Sequence, residues 1–355
     1  MSTKFIPDPS QPMRKQMESY VRHLQNHIVT SLEALDPSAP PFKRDVWVRP
    51  EGGEGQSCVF ASPPEPSSTA STPETILEKA GVNISIIHGI LPSSTVKQMR
   101  SNHASIPDLG DKGLPFFVAG ITSVIYPRNP HAPTVHMNYR YFEITEGEST
   151  GNGENKVLAW WFGGSAELSP SYLYDEDAVH FHKTLHDAFT PEYSYYPAFK
   201  DWCDEYFYLP HRKEARGIGG IFFNNLNERP HSRLAASNSN GLGEPRTKEG
   251  LFELIRSLGD GFTPSYIPIL KKRARMPYTE YQRRWQLLRR GRYVEFSLVC
   301  GQGIKFGLMV PGVRVESILM SLPEVARWEY MSDMGAEGTE EGKLMKVVRS
   351  PKKWV

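Results

Sequence analysis

The sequence predicts an α+β fold: a broad, largely antiparallel sheet of about seven strands between helical layers. Two observations carry that expectation. Segments rich in β-branched and aromatic residues mix with helical patterns without strict βαβ alternation. Short Gly-rich connections of hairpin type, at residues 147–156 and at Gly301-Gln302-Gly303, join strand-like neighbours. With 355 residues, 39% hydrophobic and 23% charged, the chain can bury a sizeable core. It reads as a single domain spanning 1–355.

In chain order, Pro12 precedes a helix in which Met17, Val21, Leu24, Ile28, Leu32 and Leu35 recur at helical spacing. Residues 62–75, rich in Pro, Ser and Thr, read as a mobile surface loop. So does the stretch 227–249, which has strand-like sequence on both sides and is therefore an insertion, not a boundary. Strands are expected at 83–88, 116–126, 134–143, 156–162, 217–223, 292–299 and 305–309, and further helices at 175–188, 197–208, 249–258 and 279–290.

Charge excludes some function classes. Against 40 acidic residues stand 41 Lys and Arg, so no global field recruits nucleic acid or an anionic membrane surface. KKRAR at 271–275 has no aromatic platform beside it and is not read as a nucleic-acid patch. Cys58, Cys203 and Cys300 lack CxxC spacing, which favours a reducing compartment over a disulfide framework. No run of 18 apolar residues suggests a membrane span, and the N-terminus carries no apolar leader pattern; a cytoplasmic location is expected.

The segment 134–143, TVHMNYRYFE, carries the clearest chemistry. A side-chain period of two places Thr134, His136, Asn138, Arg140 and Phe142 on one face, and Val135, Met137, Tyr139 and Tyr141 on the other. A proton carrier, an amide and a guanidinium thus converge as an acidic substrate requires, although a solvated polar face has the same pattern. In AWWFGGSAELSP, Gly163 and Gly164 permit close backbone approach and Glu167 is either a carboxylate facing an apolar cleft or a solvated turn residue. RGIGG at 216–220 leads into a strand and lacks GxGxxG spacing, so it is not a nucleotide loop. His182 and His186 have i,i+4 spacing but no HExxH, and hydrogen-bonded structural histidines are favoured over a metal site. In YQRRWQLLRRGR, 281–292, some arginines are expected at the cleft, with Arg292 entering a strand opposite Lys305.

HAPTVHMNYRYFE (131–143), WWFGGSAELSP (160–170), DWCDEYFYLPHRKEARGIGGIFF (201–223), LLRRGRYVEFSLV (287–299) and ESILMSLPEVARWEY (316–330) together resemble oxygen-dependent coproporphyrinogen III oxidase. The resemblance covers nearly the whole chain outside the two loops. It implies a homodimer that converts two propionates of coproporphyrinogen III to vinyl groups with O2 as co-substrate, releasing CO2 and hydrogen peroxide. It also implies no organic cofactor and no required metal. His136 matches a proposed proton donor and, with Glu167 and Arg140, forms the expected catalytic set. Asn138, Tyr139 and Arg140 match one substrate-contacting stretch and Gly312, Val313 and Arg314 a second; Arg216 and Lys305 are expected to support an anionic cleft. Thr122 stands where the family has a substrate-binding Ser. Other departures are Glu167 for Asp, Asn224-Asn225 for an Asp pair, Gly301-Gln302 for an acid-basic pair, Tyr126 for His and Glu54 for Gly. These leave open a specialised paralogue acting on another electron-rich aromatic carboxylic acid, or a non-catalytic porphyrin-binding homologue.

Overall fold

The computed structural model describes all residues except 1–3, 62–73, 101–105, 109, 111, 148–155, 190–194, 235–246 and 310–313. Most of the two expected loops, 62–75 and 227–249, therefore lies outside the described residues. Seven strands form one sheet: β1 (Lys43–Val48), β2 (Gly53–Ala61), β3 (Leu77–Leu91), β4 (Leu114–Pro127), β5 (Thr134–Thr145), β6 (Val157–Ser169) and, after the two-residue ladder β7 (Tyr208–Leu209) and β8 (Glu214–Ala215), β9 (Gly220–Leu226). The order is β1-β2-β3-β4-β5-β6-β9 and every pair is antiparallel.

The strand membership differs from expectation at both ends. β1 and β2, KRDVWV and GEGQSCVFA, were not anticipated, because charge and glycine lower their β-propensity. Conversely, 292–299 and 305–309 are helical: α7 (Glu280–Glu295) runs into a π-helical turn, Phe296–Cys300, and α8 (Gln302–Met309) follows. Gly301-Gln302-Gly303 is thus a helix connection and not a hairpin. Tyr293, Val294, Phe296 and Ser297 are all buried, an i, i+1, i+3, i+4 set that suits a helix face; their β-branched and aromatic composition misled the reading. α7 starts at a capping box, with the Thr279 side chain and Gln282 satisfying each other's backbone N–H groups.

One sheet face holds the main core. α1 (Met13–Glu33) packs on β3 and β4, and α5 (Lys248–Asp260) and α6 (Phe262–Arg273) pack on α1. α3 (Asp175–Asp187) and α4 (Tyr196–Tyr206) close over β9. Met137, Tyr139, Tyr141, Phe162, Ile221 and Phe223 point into this layer. The other face is only partly covered. At one end α2 (Ser93–Arg100) and the strand ends bury Phe142 against Trp161, with ring centroids 4.5 Å apart. At the other, α7, its π turn and α9 (Val315–Leu319) lie over Val124 and Tyr126. A band of partly open sheet lies between them. α10 (Glu340–Arg349) closes the chain against β8.

Candidate active site

The open band contains the side chains that period two selected. His136, Asn138, Arg140 and Phe142 are partly exposed, whereas Val135, Met137, Tyr139 and Tyr141 are buried on the opposite face. Arg140 is opposite Gly120 on β4 and Gly163 on β6. Neither neighbour has a side chain, so the guanidinium lies flat across the sheet. A Cβ on Gly163 would sit 2.8 Å from Arg140 Nη2 and 2.7 Å from Asn224 Oδ1. Arg140 Nη1 donates to Asn138 Oδ1 at 2.7 Å, and Nη2 donates to Asn224 Oδ1 at 2.8 Å. Asn138 in turn donates to Thr122 Oγ1 at 2.6 Å. The result is a polar chain across four strands, in which the only formal charge is the guanidinium. Burial lowers its pKa, but an arginine stays protonated.

Deeper in the same face, cross-strand pairing brings His136 beside Glu167. Glu167 has no solvent exposure. It accepts from Ser169 Oγ at 2.9 and 3.0 Å and from Arg216 Nε at 3.2 Å, with Arg216 Nη2 at 3.1 Å completing an ion pair. Gly217 leaves room for this carboxylate, since a Cβ there would collide with Glu167 Oε1. The Arg216 guanidinium sits over the rings of Phe207, Tyr293 and Phe296, at 4.0, 4.3 and 4.7 Å from their centroids. Burial and the Arg216 charge push His136 down to about 3, so its ring is neutral near pH 7. Among the described residues its buried Nδ1 has no hydrogen-bond partner.

A family model described as coproporphyrinogen III oxidase matches residues 16–354. The chain belongs to the coproporphyrinogen III oxidase family. It is 44% identical over 354 residues to the oxygen-dependent coproporphyrinogen-III oxidase of Drosophila melanogaster, covering 99% of this chain and 81% of that relative. The mitochondrial oxygen-dependent coproporphyrinogen-III oxidase of Homo sapiens is 44% identical over 344 residues, covering 97% and 67%. Coproporphyrinogen-III oxidase 1, chloroplastic, of Arabidopsis thaliana is 41% identical over 349 residues, covering 98% and 80%.

Within this coproporphyrinogen III oxidase fold the expected site residues divide into groups. Thr122, Asn138 and Arg140 form one connected set, and His136, Glu167 and Arg216 another. Glu167 was read as facing a cleft or solvent; it does neither, because Arg216 and Ser169 hold it inside. Arg216 correspondingly has its charge matched within the protein. The Tyr139 side chain is on the core face, stacked near Phe223 at 6.5 Å between centroids, as the strand period requires. Lys305 is exposed on α8 and donates to the Val299 carbonyl at 2.6 Å; its expected place opposite Arg292 depended on two strands that are helices. Gly312 and Val313 lie outside the described residues. Arg314 pairs with Asp45 on edge strand β1 at 2.5 Å.

The other singled-out groups have partners within the protein. His182 is buried, with Nδ1 2.6 Å from the Tyr196 hydroxyl, and His186 is exposed beside Asp187. No group of three or more potential metal ligands occurs among the described residues. The arginines of α7 meet carboxylates and do not enter the cleft: Arg283 and Arg290 pair with Glu78, Arg284 with Glu329, and Arg289 with Glu214. Lys272 and Arg273 of the KKRAR run pair with Glu176, and Arg273 also with Asp177. Sequence reasoning missed Asn224 as a ligand of Arg140 and the Phe116–Phe142–Trp161 stack that walls the band. Period two in β6 aligns Trp161, Gly163, Ser165 and Glu167, and that pattern was the available signal.

Proposed function

We propose that this chain is an oxygen-dependent coproporphyrinogen III oxidase, converting coproporphyrinogen III to protoporphyrinogen IX. Each of the two propionic acid side chains that react consumes one O2 and gives a vinyl group, CO2 and H2O2, which balances atoms and electrons; the other two propionates are retained. The observation that carries this reading is Arg140: a partly buried guanidinium on an open sheet face, ligated among the described residues by amide oxygens alone. A substrate carboxylate supplies the missing anion and can be held bidentately. Asn138, Thr122 and the aromatic wall orient the macrocycle beside it. By the family resemblance, Arg314 together with Gly312 and Val313 would supply a second substrate contact, with Arg314 exchanging Asp45 for a substrate carboxylate.

His136, neutral in the free protein, exchanges a proton at the reacting pyrrole. Glu167 and Arg216 act through it, fixing the charge behind the ring, and are positioning residues. The electron-rich porphyrinogen reacts with O2 directly, so the protein's part is orientation and charge stabilisation without an organic cofactor or a metal. A homodimer fits the exposure of Met309, Trp328, Tyr330 and Met331, at 82, 53, 94 and 85%. No described helix is long and apolar enough to cross a membrane, and the free cysteines fit a cytoplasmic enzyme.

The test is aerobic incubation of chelator-treated protein with coproporphyrinogen III, following protoporphyrin fluorescence after re-oxidation, with an anaerobic control. Oxygen-dependent product is expected. Absence of product from folded protein overturns the assignment and favours the second reading, oxidative decarboxylation of another electron-rich aromatic acid. Asn224 and Asn225 favour that second reading, because they place amides where an acid pair would confront pyrrole N–H groups.

A further inference from the structure

Charge matching inside this molecule follows a rule with an informative exception. Of the carboxylates that are nine-tenths or more buried among the described residues, Asp36, Glu78, Glu143, Glu167, Asp177 and Glu214 each lie within ion-pair distance of an arginine. Glu341, at the start of α10, is 5% exposed and has none. Its one hydrogen bond comes from the Tyr172 hydroxyl to Oε1. A buried carboxylate without a cation is costly, and its place in the first turn of α10 offsets only part of that cost.

Glu341 lines a cavity of about 290 Å³ at the junction of β6's C-terminal extension, the start of α7 and the start of α10. The walls are aromatic: Tyr172, Tyr174, Tyr281 and His131. His131 Nδ1 is 2.9 Å from the Tyr174 hydroxyl, and burial together with Arg273 lowers its pKa, so it adds no positive charge near pH 7. Gln282 is engaged in the α7 capping box. Among the described residues, the cations Arg273 and Lys343 are both occupied. Arg273, 3.5 Å from the Tyr174 ring centroid, is tied to Asp177 and Glu176. Lys343 is tied to Glu340, the second acidic residue at the rim.

We propose that this cavity binds a small organic ammonium ion, held by the faces of the tyrosine rings and neutralising Glu341. Aromatic faces attract cations through their quadrupole, and quaternary ammonium groups need no hydrogen-bond acceptor for each substituent. The volume, at the low end for ligand sites, suits a choline-sized molecule and excludes a porphyrin ring. The site stands apart from Arg140 and His136 and does not depend on the catalytic assignment.

The experiment is calorimetric titration of the full chain with choline chloride, alongside its neutral isostere 3,3-dimethyl-1-butanol, with sodium chloride keeping ionic strength constant. Choline is expected to bind in the millimolar range and to be preferred over the alcohol by at least about tenfold. Glu341→Gln and Tyr281→Ala should each lose about tenfold or more in choline affinity. Tyr281 is 49% exposed, so its variant keeps the test open if Glu341→Gln does not fold. Equal binding of the neutral isostere, choline affinity untouched by Tyr281→Ala, or no choline binding by folded wild-type protein would each overturn the proposal.

Discussion

Arg140 and Glu167 are both charged and both in the candidate site, yet their surroundings give them different work. Among the described residues Arg140 has amide partners only, so its charge is available. Arg140→Ala should raise KM for the acidic substrate by one to two orders of magnitude with a smaller change in kcat, because a bidentate contact to carboxylate is lost. Steady-state kinetics on this variant checks the argument. His136→Ala should instead lower kcat more than it changes KM. An equal effect of Arg140→Ala and His136→Ala on both parameters would contradict this division. Glu167 is already matched to Arg216. Glu167→Gln leaves a buried guanidinium without its anion, which should cost about 3–5 kcal/mol, measurable by urea unfolding.

Strands and helices show what a sequence can display and what it hides. β5 was legible because alternation of polar and apolar residues over 134–141 is a backbone property, and the burial pattern follows it from Val135 to Phe142. The same rule placed Tyr139 on the core face, which is where it lies, although the family motif grouped it with substrate contacts. The stretch 292–309 was misread because its β-branched and aromatic residues serve a buried helix face, and composition cannot distinguish the two uses. Arg140's route was half legible: the residue was evident, its path over Gly163 to Asn224 was not, since β6 and β9 are distant in sequence. Gly163→Ala should therefore raise KM nearly as much as Arg140→Ala, because the new Cβ occupies the guanidinium's path. Gly303→Ala is the matched control. Nothing lies within 4 Å of its Cβ position on α8, and replacing a helical glycine should stabilise the protein by up to about 1 kcal/mol without altering KM.

At the scale of the whole molecule, near-zero net charge conceals a dense internal pairing of arginines with carboxylates, and this shapes the response to acid. Two histidines sit inside that arrangement as neutral rings. Burial, assisted by Arg216, brings His136 down to about 3. Burial, assisted by Lys200, lowers His182 well below its usual value. In the unfolded chain both titrate near 6.5, so between that value and the folded one the unfolded state binds more protons and stability rises with pH. Their contribution is complete above about pH 6.5 and is lost as pH falls, at up to about 1.4 kcal/mol per pH unit for each ring. The carboxylates act in a lower window. Burial pushes Glu295 up, but Arg212, His211 and Arg292 outweigh it and bring the group to about 2, so its contribution disappears only below about pH 4.5. Urea midpoints measured from about pH 7.5 down to about pH 5 should therefore fall before any paired carboxylate titrates. His182→Gln should flatten that part of the curve while leaving the steeper acid limb in place. A wild-type midpoint that stays constant down to about pH 4.5 would mean that the two rings are protonated within the fold at no cost, against the burial that surrounds them.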